Sequence, residues 1–464
     1  MLILVSAVLF GGASRTDVGI PLVARVVAIL SIAWLIWRTP FGEWRFKRTA
    51  TWLLACLILV PVAQLIPLPW SIWTALPGRD YAANVYRLLG ERPQHAISLT
   101  PDRTINALSA LAPAVAGYLA CLRLGNQGRA VGLTAIMLLA LFSGILGLVQ
   151  VTTGPDGGAY FYTITNSDSS VGFFSNANHQ SLFLCIGIVV VMYLLAELTA
   201  QRPHLARASA ILAAAAIGIM MISILETKSR AGAAMSIIAI LGGASMVPAR
   251  SFPYGPKGKL FGFAGVGAVL ILLLILGYTG TLFGHSLEIE KLDNARISNL
   301  PVFFQIIRDY FPFGSGLGSF EVVFRSYEDI SNFNYDYLNN THNDYIQILI
   351  ETGLIGGALL LIFLTWWTRA FFIAWTSAAA RERGEADTRL KRTAGLITFI
   401  ALLHSLADYP LRTAALSTVF AFCIAILTDA SQRAGEGGRS SPAALKIRRV
   451  KVGARPRGEQ AKRV

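Results

Sequence analysis

The chain has 464 residues, 54% of them hydrophobic and only 14% charged, with a mean hydropathy of +0.56. Soluble domains carry about 25% charged residues, so a soluble globular fold is excluded and an integral membrane protein is indicated. The formal charge of +14 collects in short loops and the C-terminal tail, a pattern that belongs to membrane topology.

Crossing a hydrocarbon core takes about 20 apolar residues as helix. Apolar runs at approximately 1–13, 18–37, 50–68, 104–123, 131–151, 179–199, 208–226, 231–247, 260–283, 346–372, 394–408 and 412–429 therefore predict about twelve transmembrane helices. Alternating ten-residue barrel strands are absent, and backbone groups in lipid must be satisfied internally, so the expected fold is all-α. The first run is short for a full crossing. It lacks a basic n-region and a small-residue cleavage site, so it is not read as a signal peptide. Cys56, Cys121, Cys185 and Cys423 fall inside apolar runs, where they read as small buried hydrophobes, without a disulfide framework or a CxxC metal site.

Orientation follows from the excess of Lys and Arg in short cytoplasmic loops. With the N-terminus cytoplasmic, alternate loops divide the formal charge into about +19 inside and about −5 outside. Four regions result: transmembrane helices 1–9 over residues 1–283, a large periplasmic loop over 284–345, helices 10–12 over 346–429, and a basic cytoplasmic tail over 430–464. The tail reads as a disordered segment facing anionic lipid, and no nucleic-acid partner is expected.

Outer segments 69–103, 152–178 and 284–345 exceed a tight turn, and long loops are disproportionately functional. In the last of them, Val302, Phe303, Ile306, Ile307 and Tyr310 fit an amphipathic helix lying on the bilayer surface. "GSGLGSF" follows, and without a preceding strand or a βαβ unit it reads as a turn. Tyr327, Phe333, Tyr335 and Tyr337 suit either a lid over a glycan or an interfacial aromatic belt.

Three polar clusters stand at outer helix ends: "FFSNANHQS", "ETKSRAG" and "THNDYIQILIETGLIGG". Polar residues near membrane depth are costly and face a cavity or a partner. Local readings exist for each. Ser175 or Asn178 suits a helix cap, Thr341 with Asp344 fits a T-x-x-D capping box, and Lys228 and Arg230 suit either a solvated turn or a functional one. Asp344, Gln347 and Glu351, spaced i, i+3, i+7, share one stripe that would join helix to helix, whereas His342 on the same helix would point about 200° away, with Tyr345 and Leu349. His342 is thereby a candidate catalytic residue.

These residues resemble the O-antigen ligase and O-antigen polymerase superfamily of bacterial membrane glycosyltransferases. The stretch from Thr341 resembles its H-N-x-x-x-Q-x-x-x-E-x-G-x-x-G signature, and "TKSRAG", "ARISNLPVFFQIIRDYFPFGSGLGSF" and "LADYPLR" occur in that family's order, with "FGG" and "SNANH" earlier. The resemblance spans about residues 1–429. It implies a GT-C-like helical fold, a glycan donor on undecaprenyl diphosphate, a lipid A–core or glycan acceptor, and metal-independent inverting transfer without a cofactor at the periplasmic face of the inner membrane. By family position Arg230 and Arg296 are expected to bind diphosphate and His342 to act as base, with Lys228, Asn343 and Asp408 in support. Asp408 is open between orienting His342, holding the acceptor and capping a turn. Ligation to lipid A–core is named first, polymerisation of repeat units second, protein O-glycosylation more distantly. A transporter or flippase is the alternative from another class, although no repeat of halves is evident.

Overall fold

The computed structural model describes residues 1–13, 15, 18–40, 49–249, 255, 257–258, 298–328, 338–376 and 384–436. Arg296, the apolar run at 260–283, Phe333, Tyr335, Tyr337 and most of the basic tail lie outside the described residues. In chain order the helices are α1 (Leu2–Phe10), α2 (Pro21–Arg38), α3 (Thr49–Gln64), α4 (Trp70–Trp73), α5 (Asp80–Leu88), α6 (Pro101–Ala110), α7 (Ala112–Arg123) and α8 (Asn126–Thr153). They continue as α9 (Ala177–Gln201), α10 (Ala206–Glu226), α11 (Arg230–Met246), α12 (Leu300–Tyr310), α13 (Phe320–Arg325), α14 (Asp344–Trp375), α15 (Glu385–His404) and α16 (Ala414–Glu436). A two-residue antiparallel pair, β1 (Pro67–Leu68) with β2 (His95–Ala96), is the sheet structure among these residues.

Six of these stretches are long and apolar enough to cross a membrane: α2, α6 with α7, α8, α9, α10 and α14. The protein is a largely α-helical, multi-pass membrane protein. The shorter apolar helices α3, α11 and α16, together with α1 and the C-terminal part of α15, occupy the remaining predicted runs, except the one outside the described residues. Helix α9 is the axis. Consecutive residues from Leu182 to Val191 are buried, as expected of a helix that is apolar all round, and α8, α10, α11 and α15 pack about it.

At one end of the bundle the loops fold inward instead of lying on the surface. Gln150, in the last turn of α8, accepts from Val171 N at 3.2 Å and Gly172 N at 2.7 Å and donates to Gly172 O at 3.0 Å. Ser170 N donates to Glu226 O at 3.1 Å, and Ser175 N to Gly12 O at 3.3 Å. Buried backbone groups are thus paired without regular structure, and the ends of α1, α8, α9 and α10 are drawn together. The cap of α9 is Asn176, which accepts from Asn178 N at 2.8 Å. Ser175 and Asn178, the residues expected to cap, flank it, one donating its N–H to Gly12 and the other supplying the N–H that is capped.

The apolar face of α12 meets protein where lipid was expected. Phe303, Ile306 and Tyr310 are buried in a small second core with Phe320, Val323, Phe324 and Ile350. The aromatic residues of α13 supply the cover: Phe303 lies 5.7 Å from both Phe320 and Phe324, centroid to centroid. Buried Arg79 fastens the 69–103 excursion onto this core. It donates to Ile97 O, and its guanidinium lies 5.5 Å from the Tyr310 ring; burial lowers its pKa to about 10.

Helix α14 is interrupted at Gly353, where φ is 58° and ψ −142°, a region open essentially to glycine alone. The break releases carbonyls that the "GSGLGSF" turn collects. Ser315 N donates to Ile350 O at 3.0 Å, Gly316 N to Glu351 O at 2.9 Å, and Leu354 N to Pro312 O at 2.9 Å. Gln64 ties α3 to the same place, donating to Glu351 O at 2.9 Å and accepting from Leu317 N at 2.9 Å. A Cβ at Gly353 would lie 2.2 Å from Pro312 O. Gly353→Ala is therefore expected to destabilise the protein by at least about 1–3 kcal/mol, seen as a lower melting temperature in detergent; an unchanged melting temperature would refute the strain.

Candidate active site

The stretch from Asn340 to Tyr345 forms a fixed turn before α14. His342 holds a left-handed φ of 53°, uncommon for a non-glycine residue. Thr341 spans it: its hydroxyl donates to Asn343 O at 2.7 Å and accepts from Asn343 N at 3.2 Å. The cap of α14 is Asn343, accepting from Tyr345 N at 3.0 Å and Ile346 N at 3.1 Å. The expected Thr341–Asp344 capping box does not form, because Asp344 is engaged elsewhere. His342 accordingly precedes the helix, so the angle expected for it on a helical wheel does not apply.

Four bonds fasten this turn to the end of α15. Asp344 N donates to Ser405 O at 3.0 Å, Ser405 Oγ to Asp344 Oδ2 at 2.9 Å, Asn343 Nδ2 to Leu406 O at 3.0 Å, and Tyr345 OH to Leu402 O at 2.7 Å. They bring together two segments 66 positions apart, and His342 Nδ1 then lies 2.9 Å from Asp408 Oδ1. Asp408 is 1% exposed and His342 10%. A carboxylate only accepts, so the proton of the neutral imidazole sits on Nδ1 and Nε2 is left as the basic atom.

A second histidine stands near Asp408, beyond hydrogen-bond distance. His179 Nε2, in the first turn of α9, is 3.9 Å from Asp408 Oδ2. The ring of Tyr409 meets both imidazoles edge on, at 4.8 Å for His342 and 5.1 Å for His179. His179 lay unremarked within "SNANHQS", and its signal was an imidazole opening an otherwise apolar helix.

The stripe on α14 forms the floor of the site. Gln347 Nε2 donates to Glu351 Oε1 at 3.1 Å and to Asn340 Oδ1 at 2.9 Å, while Gln347 Oε1 accepts from Thr341 N at 3.1 Å. Arg412 closes the network from the turn after Asp408, with Nη2 at 3.1 Å from Glu351 Oε2 and Nε at 3.5 Å from Asp344 Oδ1. Glu351 is fully buried. Sequence reasoning passed over Arg412, although two acids on one stripe of a membrane helix call for a cation.

Lys228 and Arg230 occupy the turn between α10 and α11. Lys228, at φ 57°, donates to Asp168 Oδ2 at 2.8 Å and Asp168 O at 2.9 Å. The lysine holds the Asp168 carboxyl below its ordinary 3.8, so the attraction is present above that pH and is lost as pH falls through the depressed value. Arg230 is exposed at the first position of α11, whose cap is Ser229, accepting from Gly232 N at 3.0 Å. The α11 start packs on the His179 end of α9, where Cys185 Sγ lies 3.5 Å from Gly232 O.

Residues 213–361 match the protein family described as O-Antigen ligase. That match supports assignment to the O-antigen ligase/polymerase superfamily. The matched stretch takes in Lys228, Arg230, Arg296, His342 and the α14 stripe; His179, Asp408 and Arg412 lie beyond it. A search of curated proteins found no matching sequence.

Proposed function

We propose that the chain is an inner-membrane glycosyltransferase that moves a glycan from undecaprenyl diphosphate to an acceptor hydroxyl at the periplasmic face, with ligation of O-antigen to lipid A–core as the reaction. The observation that carries this reading is the 2.9 Å contact between His342 and buried Asp408, in a chain of this superfamily. The reading includes a GT-C-like arrangement of about twelve crossings with both termini cytoplasmic.

In the reaction, His342 Nε2 takes the proton of the acceptor hydroxyl as its oxygen attacks the anomeric carbon. The bond from that carbon to the diphosphate oxygen breaks with its electron pair, on the face opposite to attack, so one displacement inverts the centre. Asp408 keeps the Nδ1 proton in place and stabilises the imidazolium, as in other His–Asp pairs. The energy resides in the donor's sugar–phosphate bond, and the departing diphosphate is stabilised by the forks of Arg230 and Arg296, with Lys228 at the same turn. No metal or cofactor has a step in this scheme.

Deletion of the gene with analysis of surface and lipid-linked glycans tests it. Ligation predicts loss of long glycans from lipid A–core with lipid-linked polymer accumulating outside. Accumulation of single repeat units would replace ligation by polymerisation, and lipid-linked material trapped inside would point to a carrier. Unchanged glycans would overturn the proposal.

A further inference from the structure

The α14 stripe forms one wall of a cavity of about 470 Å³, a volume within the range of small-ligand sites. Residues of α2 and α6 line the other side, and Arg15, Arg25, Arg103 and Arg412 all reach its surface. Arg103 and Arg412 have carboxylate partners: Arg103 Nη1 donates to Glu321 Oε2 at 2.6 Å, and Arg412 holds Glu351.

Arg25 is different. It stands in α2, a candidate membrane span, and Nη1 donates to two neutral oxygens of α6, Asn106 Oδ1 at 2.5 Å and Ser109 Oγ at 2.9 Å. Its Nε is buried without a hydrogen-bond partner. Asn106 and Ser109 aim the guanidinium but leave its charge uncompensated by any carboxylate among the described residues. A charge kept at membrane depth marks a partner or a pathway, and a fixed planar fork suits a phosphate. Asn339 and Asn340 line the same cavity, and side-chain amides form hydrogen bonds of the kind sugar hydroxyls use.

We propose that this cavity binds a phosphate group of the saccharide–lipid acceptor, with Arg25 as its main contact. The assignment to the acceptor rests on the glycosyl-transfer reading, in which the donor's diphosphate takes the α10–α11 turn beyond His179. The cavity is lined by Asp344 and Arg412, the former next but one to His342 and the latter four residues after Asp408. Two anionic substrates then approach the base from separate cationic sites.

The test uses the full chain in phosphatidylcholine nanodiscs and three probes: lipid A with its phosphates, the same lipid after phosphatase treatment, and phosphatidylglycerol. Wild type is expected to bind phosphorylated lipid A about ten-fold more tightly than the treated form. Arg25→Gln should erase that difference, Arg25→Lys should keep part of it, and Arg230→Gln should leave it intact. Asn106→Leu, which releases the fork, should act in the same direction as Arg25→Gln should the latter fold poorly. Retained discrimination in both variants would overturn the proposal, as would its loss in Arg230→Gln or equal binding of phosphatidylglycerol. Binding is read without turnover, so failure of glycosyl transfer in cells and failure of this site are separate results.

Discussion

His342→Ala is expected to lower glycan transfer by about 10²–10⁴-fold, with the protein inserted in the membrane at wild-type level. Because alanine would also take away the imidazole that lies 2.9 Å from Asp408 Oδ1, a second substitution separates chemistry from packing. Asparagine tolerates a left-handed φ and can donate to the carboxylate while supplying no base, so His342→Asn should melt near wild type and be as inactive as the alanine variant. Asp408→Asn should also lose activity, since an amide no longer dictates which ring nitrogen carries the proton. Transfer by purified protein from a lipid-linked donor measures all three. Full activity of His342→Asn would remove the base from the mechanism.

Much of this site was legible because membrane burial makes polar residues informative. The i, i+3, i+7 spacing of Asp344, Gln347 and Glu351 identified a shared stripe, and the structure shows what it grips: Asn340, Gln347 and Arg412 satisfy Glu351 and its neighbours. What could not be read was competition between local and distant partners. Thr341 and Asp344 have the spacing of a capping box, but Ser405 and Arg412 claim the carboxylate and Asn343 caps instead. The left-handed turn at His342 depends on contacts with residues 402–408, so sequence periodicity places the imidazole on the wrong frame. Periodicity also identified the apolar face of α12 without saying what would cover it; α13 does so where lipid was expected. At Gly353 a residue that reads as one more small helical position opens the helix and presents its carbonyls to the glycine turn.

Arg412→Ala should be among the most damaging substitutions for stability. Arg412 holds two carboxylates at once, and Glu351 is fully buried while the Asp344 side chain is 8% exposed. Removing one partner of a buried pair costs about 3–5 kcal/mol, because the charge left behind has no water to replace it. Gln347, already bonded to Glu351 Oε1, cannot neutralise that charge. Glu351→Gln keeps a hydrogen-bonding group of the same size and removes the charge, so it should cost less than Arg412→Ala. Combining the two should cost less than their sum, with a coupling of about 0.5–3 kcal/mol. Denaturation of the four proteins in one detergent gives the cycle, and additive losses would show that the pair is not coupled. The consequence for catalysis follows from position. Asp344 and Ser405 join the start of α14 to the end of α15, so repulsion between unpaired Asp344 and Glu351 acts on the turn that holds His342 against Asp408. Arg412→Ala should therefore lose transfer activity even at temperatures where it stays folded, whereas Arg412→Ala with Glu351→Gln should recover part of it.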